Sequence, residues 1–194
     1  MSDLEVRLLG PFEVIVAGKP VDVRGGKRQT VVAFLALRAG RVVATDSLVD
    51  ALWGSGLPAA PRNAVQHHVT RLRRALGPQA IRLEPDGYAL EGAVVDAFQF
   101  EELVAAARTA LRAGDPRSAT ETVAAALALW RGPPLLGLPD PAWARAEASR
   151  LEAGAAPAVA VQEEAGQPHV RRRREVDEPR GDLLRGPRHL RILQ

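Results

Sequence analysis

Residues 63–77 read NAVQHHVTRLRRALG, a stretch with three arginines, two histidines and no acid. At about 100° per residue, a helix over this stretch gathers Val65, Val69, Leu72 and Leu76 into one narrow apolar stripe that can pack on a core. Asn63, His67, Thr70 and Arg74 point the opposite way, flanked by Gln66 and Arg71. That face offers amides, a hydroxyl and guanidiniums, the groups that reach base edges and phosphates. A basic helical face is also what an ordinary solvated helix presents, so the stretch acquires meaning only from its neighbours.

Working outward, GSGLPAAP at residues 54–61 breaks the chain before the basic helix. Ahead of it lies a short helix whose inner stripe is Leu48, Ala51 and Leu52, with Thr45 as its expected cap and Asp46 favoured in its first turn. GKRQTVVAFLALRAG, residues 26–40, is apolar almost all round from Val31 to Leu37 and predicts a buried helix closed by Gly40. Residues 4–23 alternate, with Leu4, Val6 and Leu8 opposite Glu5 and Arg7, and Gly18-Lys19 marks a turn, so a small antiparallel sheet is expected there. After Gly77-Pro78 the period drops to two. Ile81 and Leu83 alternate with Arg82 and Glu84, Pro85-Asp86-Gly87 supplies a turn, and Tyr88 and Leu90 return on the same alternation. Three helices and a hairpin, the third helix basic, is the order of an α+β winged helix-turn-helix, with the third helix in the major groove and the hairpin as the wing.

Beyond a join near residues 92–97 the chain becomes helical. Phe100, Leu103, Val104, Ala107 and Leu111 keep helical spacing. Asp115-Pro116 supplies a cap with proline at the first helical position, before a stripe of Ala119, Val123, Ala126, Leu127 and Trp130. Asp140-Pro141 repeats that signal ahead of a third helix holding Trp143 and Leu151, and the two tryptophans are expected to anchor the core of the helical part. The small-large alternation suits an all-α, tetratricopeptide-like partial domain, although no 34-residue self-similarity accompanies it. The expected organisation is a DNA-binding unit over residues 1–92, a partial helical domain over 97–152, and a disordered or aberrant tail over 153–194. That tail has four prolines and the run Arg171 to Arg174.

Charge is segregated along the 194 residues. Residues 1–92 hold 12 Lys+Arg against 9 Asp+Glu, residues 93–168 hold 6 against 10, and residues 169–194 hold 8 against 4. Five arginines and no acid fall within residues 60–82, which points to a nucleic-acid-facing first part. No cysteine is present, which excludes disulfides and thiolate metal sites and fits a reducing compartment. No apolar run approaches the length of a membrane span, and MSDLEVRLLG lacks a signal-peptide layout, so a cytoplasmic protein is expected.

Catalytic readings find little support. His67 and His68 are adjacent, about 100° apart on a helix, and cannot chelate one metal as an i, i+4 pair could. GGKRQT at residues 25–30 resembles a phosphate loop but lacks the first glycine, and Arg28 stands where Ser or Thr should follow the lysine, so it reads as a helix start. The serines form no nucleophile elbow. Neither enzyme activity nor a cofactor nor a metal is expected.

RNAVQHHVTRLRRALG, the upstream GRVVATDSLVDALWG and the wing PDGYAL resemble the DNA-binding domain of the Streptomyces antibiotic regulatory protein (SARP) family, whose winged helix is of the OmpR type. ALALWRGPPLLGLPDPAWARAEASRLE resembles the start of the bacterial transcriptional activation domain that follows it in that family. The resemblance covers residues 4 to about 152. It implies a sequence-specific transcriptional activator of pathway genes that binds double-stranded DNA at promoter direct repeats, contacts RNA polymerase, and self-associates on DNA. By position it makes residues 63–76 the recognition helix, with Arg62 and Asn63 at its start. It assigns base reading to Gln66, His67 and Thr70, and phosphate or guanine contacts to Arg71, Arg73 and Arg74. Arg82, Gly87 and Tyr88 fall in the wing. Two departures stand out: members often carry a capping serine where this chain has Ala44, and the family continues with several more helices where this tail reads like GC-rich DNA translated out of frame. Two alternative readings remain open, a helical-repeat interaction module that the winged helix merely supports, and a truncated DNA binder without activating ability. With no receiver domain ahead of the first strand, an aspartate phosphorylation switch is not expected.

Overall fold

A computed structural model describes residues 4–139 and 142–166. Strands β1 (Leu4–Arg7) and β2 (Glu13–Val16) pair antiparallel, and β3 (Lys19–Pro20) adds to β2. Helix α1 (Gly26–Ala36) follows, buried continuously from Thr30 to Ala36 as its apolar run requires. β4 (Val43–Ala44), α2 (Thr45–Trp53) and α3 (Pro61–Leu76) come next, then the hairpin β5 (Ile81–Glu84) and β6 (Gly87–Leu90). The hairpin register pairs Ile81 with Leu90 and Leu83 with Tyr88, and β4 joins β6 to make a second, three-stranded sheet. This is the expected winged helix-turn-helix. α3 closes it: Pro61 occupies the first helical turn, where a missing N–H costs nothing, and Val65, Val69, Leu72 and Leu76 are at most 5% exposed.

Several local expectations give way. The join after the wing is a strand, β7 (Ala93–Val95), which pairs parallel with β1 and extends the first sheet to the order β3-β2-β1-β7. Thr45 does not cap α2. Ala44 holds the cap position without a side-chain bond, because the β4–β6 pairing already fixes the chain there. α1 stops at Ala36, short of Gly40, and the chain leaves through tight turns, Arg38 N–H to Leu35 O and Ala39 N–H to Ala36 O. Leu83 is 62% exposed despite its alternation, since β5 is the outer strand of its sheet.

The second half is α4 (Asp96–Arg112), α5 (Pro116–Leu127) and α6 (Ala142–Gly166), each packed on the other two. Asp115 caps α5 as expected, its carboxylate accepting the Ser118 N–H at 3.0 Å. The cap signal Asp140-Pro141 lies outside the described residues. Regular structure does not end at residue 152: α6 runs on to Gly166 through Gly154 and Pro157. Leu151, Ala158, Val161 and Ala165 recur at helical spacing and are buried. Side-chain burial thus outweighs the lost Pro157 N–H and the flexibility of Gly154. The expected disordered tail is corrected for residues 153–166; its remainder, Arg171 to Arg174 included, lies outside the described residues. No helix of the described residues is long and apolar enough to cross a membrane.

The two halves are knitted at two places. The segment after α5 runs beside the β1–β2 turn: Arg131 N–H donates to Leu9 O at 2.7 Å, Leu135 N–H to Leu8 O at 2.8 Å, and Phe12 N–H to Leu136 O at 2.9 Å. There the buried Asp96 carboxylate accepts the N–H groups of Leu8 (2.7 Å) and Leu9 (3.0 Å), with Arg131 3.5 Å away. Burial raises the Asp96 pKa, opposed by those hydrogen bonds and by Arg131. The second place is Trp143. It was expected to anchor the helical part, but its ring packs edge-on against Phe34 of α1, with centroids 5.0 Å apart. Trp130 does pack within the helical part, edge-on against Phe100 at 5.6 Å.

Candidate nucleic-acid interface

α3 buries its apolar stripe against α1 and α2, which leaves the opposite face in solvent. Asn63, Gln66, His67, Thr70, Arg71 and Arg74 are all exposed. The solvent exposure expected of this face is met, and the structure adds how its members are held. Arg71 Nε donates to His67 Nε2 at 2.8 Å, one turn back along the helix. This fixes His67 as an acceptor at that atom and braces the guanidinium, whose terminal nitrogens stay available. The Thr70 hydroxyl donates to Gln66 O at 2.8 Å, so Thr70 is turned along its own helix while keeping its acceptor lone pairs. Arg74 is engaged by no partner among the described residues.

Four of the expected contact residues are otherwise employed. Arg73 is half-buried and donates through Nε to Ile81 O at 2.8 Å, tying α3 to the wing strand. Arg82 meets Glu91 at 2.9 Å and also engages Glu84, so two carboxylates offset its charge. Gly87 and Tyr88 are buried. Gly87 lies so close to β4 that any side chain would collide with Val43 O, and Tyr88, 6% exposed, belongs to the core. Both lie in the wing hairpin, with their side-chain positions turned into the core. The cause is β4, a two-residue strand too short to show in the alternation, which covers that side of β6. Arg62 stays exposed and forms a two-pronged pair with Asp46 of α2, at 3.0 and 2.7 Å.

The start of α1 places further positive charge beside this face. Lys27 Nζ donates to Leu52 O at 2.6 Å and stands 4.9 Å from the centre of the Trp53 ring. His68, half-buried, lies 6.2 Å from Trp53 between ring centres. Its pKa is lowered, first by burial, then by the adjacent His67 imidazole and by the positive charges of Arg28, Lys27 and Arg71. Those charges come from two helices, which makes the basic surface wider than α3 alone. Consecutive Lys27 and Arg28 carry that charge in the sequence, where GGKRQT reads as a helix start.

The described residues of the second half leave this face open. Its docking residues, Trp143 and the segment from Arg131 to Leu136, lie against α1–α2 and the β1–β2 turn.

Comparison with known proteins gives the same division of the chain. Residues 19–90 match the family model described as "Transcriptional regulatory protein, C terminal", and residues 95–176 match that of the "Bacterial transcriptional activator domain". The second match continues well past residue 152, against the expectation that the reading frame is lost from about residue 153. The chain is 38% identical over 143 residues to the transcriptional regulator RedD of Streptomyces coelicolor, covering 69% of this chain and 41% of that protein. It is 34% identical over 151 residues to the regulatory protein AfsR of the same species, covering 76% of this chain and 15% of the relative. The solved structure of Mycobacterium tuberculosis EmbR in complex with a low-affinity phosphopeptide is similar with a TM-score of 0.79 at 28% identity, covering 85% of this chain and 46% of that one. The chain thus spans less than half the length of these relatives.

Proposed function

The chain belongs to the Streptomyces antibiotic regulatory protein family of transcriptional regulators, and from that premise we propose that it binds promoter DNA sequence-specifically through α3 and activates pathway genes. The observation that carries this reading is the orientation of α3. Its apolar stripe is fully used by the core, while Asn63, Gln66, His67, Thr70, Arg71 and Arg74 share a face that the described residues of the second half do not occupy.

In this reading residues 1–92 form the DNA-binding unit and the helices from residue 97 onward form the part that meets the transcription machinery. α3 enters the major groove. Asn63 and Gln66 offer the amide pairs suited to adenine, and Arg71 or Arg74 the fork suited to guanine, each good bidentate contact discriminating by about 1–3 kcal/mol. Arg62 exchanges Asp46 for phosphate at the edge of the groove. Promoter direct repeats, contact with RNA polymerase, and self-association of copies on adjacent repeats belong to the same proposal.

Selection of bound sequences from random duplexes by the full chain tests the reading. Enrichment of a repeated motif is expected, and recovery of unenriched sequence contradicts sequence-specific binding. Transcription from a promoter carrying that motif then separates an activator, which raises it, from a binder without activating ability, which leaves it flat.

A further inference from the structure

Beside α3 lies a small cleft of about 210 Å³, lined by Asp22, Val23, Arg24, Arg28, Arg71, Leu72 and Ala75. Three arginines from three separate places face it: Arg24 from the chain before α1, Arg28 from α1, and Arg71 from α3. We propose that this cleft is a phosphodiester-binding site, which extends the DNA contact surface from the recognition helix onto the start of α1.

The bonding of the arginines supports this assignment. Arg28 Nε donates to Arg24 O, and its fork lies over the Gly25 backbone, where a side chain would crowd it. Gly25, with φ 93°, can pass beneath it. Arg71 Nε donates to His67 Nε2. Both guanidiniums are therefore braced through Nε, with their terminal nitrogens unengaged by any partner among the described residues. A pair of preorganised forks suits the oxygens of a phosphate, because little side-chain entropy is left to lose on binding.

Electrostatics leave the pair without a counter-charge. Asp22 is the one carboxylate lining the cleft among the described residues, and it is taken by Arg24 Nε at 2.7 Å. Burial chiefly lowers the pKa of neighbouring His68, and the charges of Arg28, Lys27 and Arg71 lower it further. A passing DNA backbone would supply the missing anion.

The inference rests on the DNA-binding reading above, and its test separates the two. Affinity of the full chain for its selected duplex is measured against salt for wild type, Arg28→Ala and Asp22→Asn, with circular dichroism melts confirming the fold. For Arg28→Ala, the slope of log K against log salt should become shallower by about 0.9, with equal loss on selected and random duplexes. For the exposed Asp22→Asn, removal of the competing carboxylate should tighten binding by about threefold at low salt. A folded Arg28→Ala with the wild-type slope overturns the inference. Should Arg28→Ala fail to fold, unchanged affinity in Asp22→Asn overturns it instead. Loss of slope in Arg71→Ala but not in Arg28→Ala confines contact to α3, leaving the DNA-binding reading intact; absence of duplex binding by wild type sinks that reading itself.

Discussion

The indole N–H of Trp143, on the first turn of α6, donates to the backbone oxygen of Ala51 in α2 at 3.1 Å. Together with the edge-on contact to Phe34, it fixes the helical half against the back of the helix-turn-helix. Trp143→Phe keeps a ring but loses the hydrogen bond and should cost about 1 kcal/mol. Trp143→Ala loses the aromatic pair as well and should cost about 2 kcal/mol or more. Urea unfolding measures both, and equal stability of all three proteins would show that the junction contributes nothing.

Arg73 and Arg74 are neighbours in sequence with opposite assignments. Arg73→Ala should lower stability by about 1 kcal/mol through loss of the bond to Ile81 O, while leaving the salt dependence of DNA binding at its wild-type slope. Arg74→Ala should do the reverse. Paired melts and binding isotherms check this, and a reduced slope in Arg73→Ala would return that residue to the DNA surface.

These contrasts show where the sequence was legible. The α3 stripe, the buried α1, the hairpin and the Asp115 cap follow from periodicity and local capping chemistry, so they read directly. β7 and β4 did not, because two- or three-residue strands have no period to detect and exist through their long-range partners. The same limit hid which arginines are free. Arg73 and Arg82 look like Arg71 and Arg74 in the sequence, and only tertiary placement gives the first two Ile81 O, Glu84 and Glu91 as partners. α6 beyond residue 152 was missed for a different reason: Gly154 and Pro157 are strong local breakers, and the buried face against them is mostly alanine, whose pattern is faint.

His68 gives the protein a pH dependence of defined sign. Burial and the surrounding cations hold its folded-state pKa below the ordinary 6.5, so the unfolded chain binds the proton more readily. The stability linked to His68 is therefore fully present above pH 6.5 and is lost as pH falls through the folded value. His68→Asn should flatten the stability profile between neutral and mildly acidic pH, as followed by chemical denaturation at a series of pH values. A profile unchanged by the substitution would contradict the assignment.

Gly87 tests the covering of the wing. Gly87→Ala drives a methyl group into Val43 O, so the β4–β6 pairing must open, at a cost of about 3 kcal/mol. Amide exchange should report faster exchange at Val43 and Tyr88. A variant as stable as wild type would mean that β4 does not lie against the wing as described.

The orientation of α3 is tested most directly by the salt dependence of duplex binding in the full chain with Arg71 and Arg74 both replaced by alanine. The account predicts a folded protein whose log K against log salt slope is shallower than wild type, by about 0.9 for each phosphate contact removed, with preference for the selected motif reduced. A double variant that binds the same duplex with wild-type affinity, slope and preference would contradict it.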